Sequence, residues 1–507
     1  MYRLSTPYYI VFAICLSLFI SFSSLLNAKP WLPAIYGDNM VLQANKPLAF
    51  AGKANAGSEV VVSIKNAAEA VIASGKVKVG DDGKWELETA AIDSGLSLSV
   101  EVDDGSGERV EFVNVLSGEV WLCTGQSNMR WPVRNANDAE NEIKAANYPE
   151  LRLFAVKRDA ASAPLEDLTG EWLVCTPETV AGFSASGYYF GRGLQQSLQQ
   201  PVGLILSATG GTPVQAWIPK ESMLANSDSA VLLDELKAYT DTPREQRAKD
   251  GRGNWIYGAK YEKAPARSYN AMIHPLIPYT FKGAIWYQGE ANDREGKWGG
   301  PSLYKTTFPM LVESWRADWK NDFPFIYVEL ANFMAPQQNP VDEEAAVNWS
   351  YIREAQASVL ELPNTFFATA IDVGDATTIH PGNKQAVGAR LALAVLGGVY
   401  AVEEAPYLSP RYTGEYSIKD GKVFIQFENA EGGLHTVDGK APNAFAIRGE
   451  SGPWYWAECE IDGGQIIAWH PAVSAPVAVR HAWASNPDVN VYNQSDLPLM
   501  PFRTDKD

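Results

Sequence analysis

Five short runs between residues 118 and 371 are apolar almost without interruption: GEVWLC, PVGLILS, KGAIWYQ, FPFIYVEL and TFFATAI. A strand of this kind has no face to give to water, so it must be covered on both sides, as in a parallel sheet between helical layers. Stretches with helical spacing lie between and after the runs: GYYFGRGLQQSLQQ, LYKTTFPMLVESWRADW and KQAVGARLALAVLG. The alternation predicts an α/β domain with a doubly wound parallel sheet over residues 118–404. Two polar excursions, 226–266 and 335–347, read as surface loops that wall a pocket.

On either side the apolar period becomes two. SEVVVSIKN, KVKVGDDGKWELE and LSLSVEVDDGSGERVEFVNV alternate around Asp-Gly turns and predict a β-sandwich over residues 29–117. EYSIKDGKVFIQFE, AFAIRG, QIIAWH and APVAVRHAWA predict a second sandwich over 405–507. Residues 1–28 combine Arg3, an apolar core from Tyr9 to Phe22 and a small-residue site at Leu26-Asn-Ala28. That is the pattern of a cleaved export signal, with a core short for a membrane span. A periplasmic or extracellular protein without a membrane span is expected.

The formal charge of −18 argues against nucleic acid or an anionic membrane as partner. Past the leader, Cys123, Cys175 and Cys459 form an odd set, which allows one bridge, Cys123 to Cys175, and one buried thiol. Histidines 274, 380, 435, 470 and 481 lack ligand spacing, so neither metal nor cofactor is expected.

In an open α/β sheet the ligand meets the carboxyl ends of the strands. By that rule Ser127, within LCTGQSNM, follows the first run, and Gly210-Gly211 follows the second. Gln288-Gly-Glu290-Ala-Asn292 follows the third, and Asp372, Asp375 and His380 follow the last. These residue types suit acyl transfer. A serine hydroxyl becomes a nucleophile when an imidazole takes its proton, and a carboxylate can hold that imidazole in the useful tautomer. A glycine N–H and a carboxamide can stabilise the oxyanion. Gly125-Gln-Ser127-Asn-Met129 lacks the second glycine of the G-x-S-x-G elbow, which counts against a typical α/β-hydrolase. His274 beside Pro275 reads as packing or pocket wall, and Trp131, Trp217 and Trp286 are candidates to stack on a sugar ring.

GQSNM, PVGLILSATGGTPVQAW, NAMIHPLIPYTFKGAIWYQGEAN and IDVGDATTIHPGNKQAVGARLA together resemble the sialic-acid-specific O-acetylesterase family, a branch of the SGNH hydrolases. The flanking sandwiches and the closing YNQSDLPLMPFRTD extend the resemblance over nearly all of the chain past the leader. The resemblance implies that Ser127 is the nucleophile and His380 the base. It implies an oxyanion hole made of the Ser127 N–H, the Gly211 N–H and the Gln288 side chain. Gln126, Asn128, Gly210, Glu290, Asn292 and Trp217 complete the candidate pocket. The chain departs from the D-x-x-H pattern, because Thr377 stands where the acid is usual. Asp375 is the preferred acid and Asp372 the alternative, with a Ser–His dyad oriented by a main-chain carbonyl as the third solution.

The expected protein is an exported serine carbohydrate O-acetylesterase working through an acetyl-enzyme. Its substrate would be an O-acetylated sialic acid or an acetylated plant polysaccharide such as xylan or xyloglucan. Arg130, Arg294 and Arg353 are candidates to meet a sialate carboxylate. A general esterase or lipase is one alternative, opposed by the Trp, Asn and Gln around the motifs. A carbohydrate-binding protein without catalysis is another, opposed by the intact Ser127 and His380. The oligomeric state does not follow from the sequence.

Overall fold

Each of the five apolar runs forms a strand in the computed structural model, which describes residues 29–241, 262–295, 299–341, 349–402 and 407–505. The expected export signal and about half of each polar excursion, 242–261 and 342–347, lie outside these residues. Val202–Ala208, Gly283–Tyr287 and Phe325–Glu329 are buried at every position. The central sheet has the order Thr365–Thr369, Phe325–Glu329, Gly283–Tyr287, Arg109–Gly125, Val202–Ala208, Tyr148–Ala155, Trp172–Cys175. Neighbours are parallel except the last pair, so the sheet is mixed rather than wholly parallel. Tyr148–Ala155 and Trp172–Cys175 are strands that the sequence reading omits. In the first, only Leu151–Phe154 are buried, too short a run to stand out.

Side chains along a strand alternate between faces, and residues opposite one another share a face. Trp121 pairs with Leu204 and Gly283, whereas Trp286 pairs with Thr124, so the two indoles point to opposite sides of the sheet. On one side Phe190, from the helix Ala185–Leu198, meets Trp121 edge-on at 5.3 Å. On the other, Phe308 and Trp315 of the helix Gly300–Trp319 lie 6.0 and 6.1 Å from Trp286. The helix Lys384–Gly398 packs so closely on Ala185–Leu198 that a Cβ on Gly388 would lie 2.4 Å from that of Tyr189.

The strand Arg109–Gly125 runs through the expected boundary at 117/118. Its first residues pair with Ser97–Asp103 and leave much of their surface exposed, while from Val115 onward every residue is buried. One continuous hydrophobic core therefore joins the N-terminal β region to the α/β layer. A second core lies between two four-stranded sheets of the C-terminal region, supplied by Val423, Ile425 and Ile466 from one and Ile447, Val479 and Phe502 from the other. Arg353, 1% exposed, joins that sandwich to the central domain. Its guanidinium donates to the carbonyls of Leu330 and Ala331 on the central side and of Ala484 and Ser485 on the sandwich side.

Two expectations are corrected here. The excursion from 226 contains the helix Ser227–Asp241 rather than loop alone. Cys123, Cys175 and Cys459 are all buried free thiols, so the Cys123–Cys175 bridge is not formed. Among the described residues no helix is long and apolar enough to cross a membrane. Nor, among them, does any group of three or more His, Cys, Asp or Glu side chains sit where it could hold a metal ion.

Candidate active site

The strand Arg109–Gly125 lies between Val202–Ala208 and Gly283–Tyr287, and the chain fills one side of the sheet before crossing to the other. Its carboxyl end is thus the switch point, where the crevice of an open α/β sheet forms. Gly125, Ala208 and Tyr287 are level in the sheet, so Ser127, Gly210-Gly211 and Gln288 leave it at one place.

Gly125 makes the sharp exit of the first strand feasible. Its φ is +127°, and a Cβ there would lie 2.3 Å from the Tyr287 carbonyl oxygen. The Gln126 N–H donates to that carbonyl at 2.9 Å, and the one-turn helix Ser127–Arg130 follows at once. Ser184 Oγ donates to the Met129 carbonyl at 2.5 Å, and the Arg130 guanidinium donates to the carbonyls of Val156 and Ala208. Gly210 packs on the serine, since a Cβ at that position would touch Ser127 Cβ at 3.4 Å. Ser127, Gly210 and Gly211 are half-buried. Among the described residues, the Ser127 hydroxyl and the N–H groups of Ser127 and Gly211 have no hydrogen-bond partner. Both N–H groups are free to receive an oxyanion.

His380 arrives from the loop after Thr365–Thr369. Its ring stacks on Trp131 with centroids 4.7 Å apart and planes 14° off parallel, which brings it beside the nucleophile turn. The Asn137 N–H donates to the Gly382 carbonyl at 2.8 Å and holds the loop in place. Burial, and then the nearby Lys384 ammonium, keep the His380 imidazole below its ordinary range.

Neither aspartate meets this ring. Asp375 Oδ1 accepts from the Thr377 N–H, the Thr377 hydroxyl and the Thr378 N–H, so it folds the loop on itself. Asp372 is held by Arg390 at 2.6 and 2.7 Å and by the Tyr492 hydroxyl at 2.9 Å. The expectation that Asp375, or else Asp372, orients His380 is met by no contact here: Thr377 and Thr378 hold the first carboxylate, and Arg390 with the Tyr492 hydroxyl holds the second.

The expected third oxyanion donor is also placed differently. Gln288 Nε2 donates to the Thr212 carbonyl at 3.2 Å and to Asn292 Oδ1 at 2.8 Å, while its Oε1 accepts from Tyr304. Both amide hydrogens are used within the protein, and they tie the loop after Gly283–Tyr287 to the one bearing Gly211. Asn292 continues this layer by accepting from the Val214 N–H and donating to Gln215, and Gln126 accepts from the Ala291 N–H. Gln126, Asn128, Gln288, Glu290 and Asn292 are all buried, forming a polar layer under the serine rather than the wall of a pocket. Trp217 is wholly buried and its indole N–H donates to Thr212 Oγ1, and Trp286 is core, so only Trp131 of the three indoles borders the site. His274 Nδ1–H donates to the Leu165 carbonyl at 2.9 Å, and the ring lines a separate cleft of about 400 Å³ with Trp31 and Trp85.

Of the arginines, Arg130 and Arg353 are structural donors to carbonyls, and Arg294 sits 3.4 Å from Asp293 on the surface. Two lysines at the site escaped sequence reasoning. Lys263 brings its Nζ to 3.3 Å from where a Gly211 Cβ would stand, and it has no partner among the described residues. Lys384, inside the quoted IHPGNKQAVGARLA, is wholly buried beside Asn128. Asn383 and Gln385 flank it, so no local pattern marked it as buried.

A family model for carbohydrate esterases, the sialic acid-specific acetylesterases, matches residues 117–397. A sialate O-acetylesterase of Rattus norvegicus is 27% identical over 510 residues, which cover 92% of this chain and 93% of that protein. The sialate O-acetylesterase of Homo sapiens is 32% identical over 332 residues, 60% of this chain and 58% of that one. A crystal structure of a carbohydrate acetylesterase from Xanthomonas citri superposes with a TM-score of 0.80 at 33% identity, covering 94% of this chain and all of its own.

Proposed function

We propose a reaction from the premise that this chain belongs to the sialic acid-specific acetylesterase family of carbohydrate esterases. It is an ester hydrolase of the carbohydrate O-acetylesterase kind. In the proposed mechanism Ser127 Oγ attacks the acetyl carbonyl carbon of an O-acetyl sugar as His380 takes its proton. The oxyanion accepts from the Ser127 and Gly211 N–H groups, with Gln288 holding the second of these loops through Thr212. The bond from the carbonyl carbon to the sugar oxygen breaks, and His380 returns the proton to that oxygen. Water, deprotonated by His380, then attacks the acetyl carbon of the acetyl-serine, the bond to Ser127 Oγ breaks to release acetate, and His380 returns the proton to Oγ. With neither Asp372 nor Asp375 at the imidazole, the pair acts as a dyad, and the parallel Trp131 ring holds its orientation.

The observation that carries this reading is the level ending of three strands, which puts Ser127, Gly211 and Gln288 at one switch point, with His380 stacked on Trp131 beside the nucleophile turn. The arrangement also supports the SGNH-like, doubly wound assignment. The Lys263 ammonium beside Gly211, without a partner among the described residues, favours an anionic acetylated sugar such as sialic acid over neutral xylan or xyloglucan. Export follows from the apolar stretch Tyr9 to Phe22. Ser127→Ala tests the core of the proposal: with circular dichroism unchanged, turnover of a chromogenic acetate should fall on the order of 10⁴-fold or more. Retention of more than about a tenth of the wild-type rate would overturn it. Acetate release from a panel of acetylated sialosides and hemicelluloses decides the sugar.

A further inference from the structure

Lys384 occupies a place that electrostatics disfavours twice. It is wholly buried, and it opens the helix Lys384–Gly398, whose N-terminal N–H groups already carry partial positive charge. Its Nζ donates to Asn128 Oδ1 at 2.6 Å. Asn128 Nδ2 in turn donates to Glu290 Oε1 at 2.5 Å and to the Ile379 carbonyl at 3.0 Å. The ammonium fixes the oxygen end of the carboxamide, and the carboxylate and carbonyl fix the nitrogen end, so this side chain cannot turn. Glu290 is itself buried, and its other oxygen has no hydrogen-bond partner. The Tyr287 ring closes the cluster 5.3 Å from the ammonium.

Asn128 directly follows Ser127, and Ile379 directly precedes His380. We propose that Lys384 is a positioning residue for the acyl-transfer pair, locking the Asn128 carboxamide between Glu290 and the Ile379 carbonyl and so setting the nucleophile turn against the histidine loop. The inference rests on the serine–histidine reading given above. Lys384 touches Asn128 rather than the reacting atoms, so its effect is on geometry, through that contact, and on the field at the imidazole, through its charge.

The charges around the cluster give the role a signature. His380 faces Lys384, Glu290 faces both Lys384 and Asp293, and Tyr287 faces Glu290 and Arg353. Burial lowers the Lys384 ammonium to about 7 and raises the Glu290 carboxyl. The Lys384 charge disfavours a proton on His380. Removing it lets the imidazole protonate more readily, and the acid limb of activity then moves to higher pH.

Lys384→Met keeps the stem and deletes the ammonium. Its kcat for a chromogenic acetate should fall on the order of 10²-fold, the scale of a small misplacement of reacting groups, with KM changed little. The acid limb of its kcat/KM profile should shift upward. Because this variant leaves Glu290 as an unopposed buried carboxylate, Lys384→Met/Glu290→Gln is measured beside it. The double variant should show the same loss and the same shift, rather than the product of two independent defects. A folded variant of either kind with wild-type kcat and an unmoved acid limb overturns the proposal. Failure of both variants to fold overturns it too, because the cluster would then be holding the fold and not the pair. Ser127→Ala separates the two claims: an active Ser127→Ala sinks the serine reading, whereas an inactive one beside wild-type Lys384 variants sinks the positioning role alone.

Discussion

Asp372→Asn should cost stability and spare chemistry. Arg390 donates to both Asp372 oxygens at 2.6 and 2.7 Å, and the two side chains are each 12% exposed. The Tyr492 hydroxyl adds a bond at 2.9 Å from the C-terminal sandwich. An amide in place of the carboxylate keeps one acceptor but turns an NH₂ toward two donors. Hydrogen bonds to a charged group contribute roughly 1.5–3 kcal/mol, and breaking a buried pair costs about 3–5 kcal/mol. Arg390 keeps its bond to the Thr369 carbonyl at 2.9 Å, which offsets part of the loss. The expected cost is about 3 kcal/mol, or roughly 6–12 °C in Tm at about 2–4 °C per kcal/mol for a domain of this size. Asp375→Asn should change far less, because an amide oxygen can accept the same three bonds from Thr377 and Thr378. Scanning calorimetry gives the two Tm values, and kcat is measured well below either transition. Both variants should turn over a chromogenic acetate within about threefold of wild type. A fall of about 10⁴-fold in either one, with Tm unchanged, is the mark of a lost triad acid and would refute the dyad reading.

Further expectations come from the same geometry. His380 must be neutral to act as base, and burial with the Lys384 charge holds it below its ordinary 6.5, so kcat/KM should fall through a midpoint below 6.5 as pH drops. A midpoint well above that value would contradict the assignment. Serine and imidazole need no Lewis acid, so exhaustive chelation should leave activity unchanged, and loss restored by zinc or calcium would reveal a missed site. His481 lies in the C-terminal core, where burial holds it down to about 3. The unfolded chain takes up that proton first, so stability should decline as pH falls below 6.5, by about 1.4 kcal/mol per pH unit, until the folded-state value is reached. Thermal melts from pH 7 to 5 test this against His481→Leu, and equal slopes in the two proteins would exclude His481 as the cause.

Much of the fold was legible because exposure imposes a period on a strand. GLILS, AIWY and FIYVE read as continuous apolar runs since helices cover both sides of them, and the ends of GEVWLC, GLILS and TFFATAI locate Ser127, Gly210-Gly211 and His380 through the rule that ligands meet strand ends. Trp286 adjoins a motif in sequence yet points into the core, because neighbours on a strand face opposite ways, and Trp217, at the end of the helical turn Val214–Trp217, is buried as well. Asp372 was open to His380 in sequence, but Arg390 and Tyr492, 18 and 120 residues away, claim it in space. The Gln288 carboxamide reads as a donor until Thr212 and Asn292 are found to take its hydrogens. Lys384 looks like an ordinary solvated helix lysine until Asn128, 256 residues earlier, closes over it. The sequence by itself determined which residues could do the chemistry and at which edge of the sheet they would gather, because local pattern records burial. Only the tertiary structure decided which of them face one another, because a polar side chain turns to the partner that long-range packing brings within about 3 Å, and no local period encodes that choice.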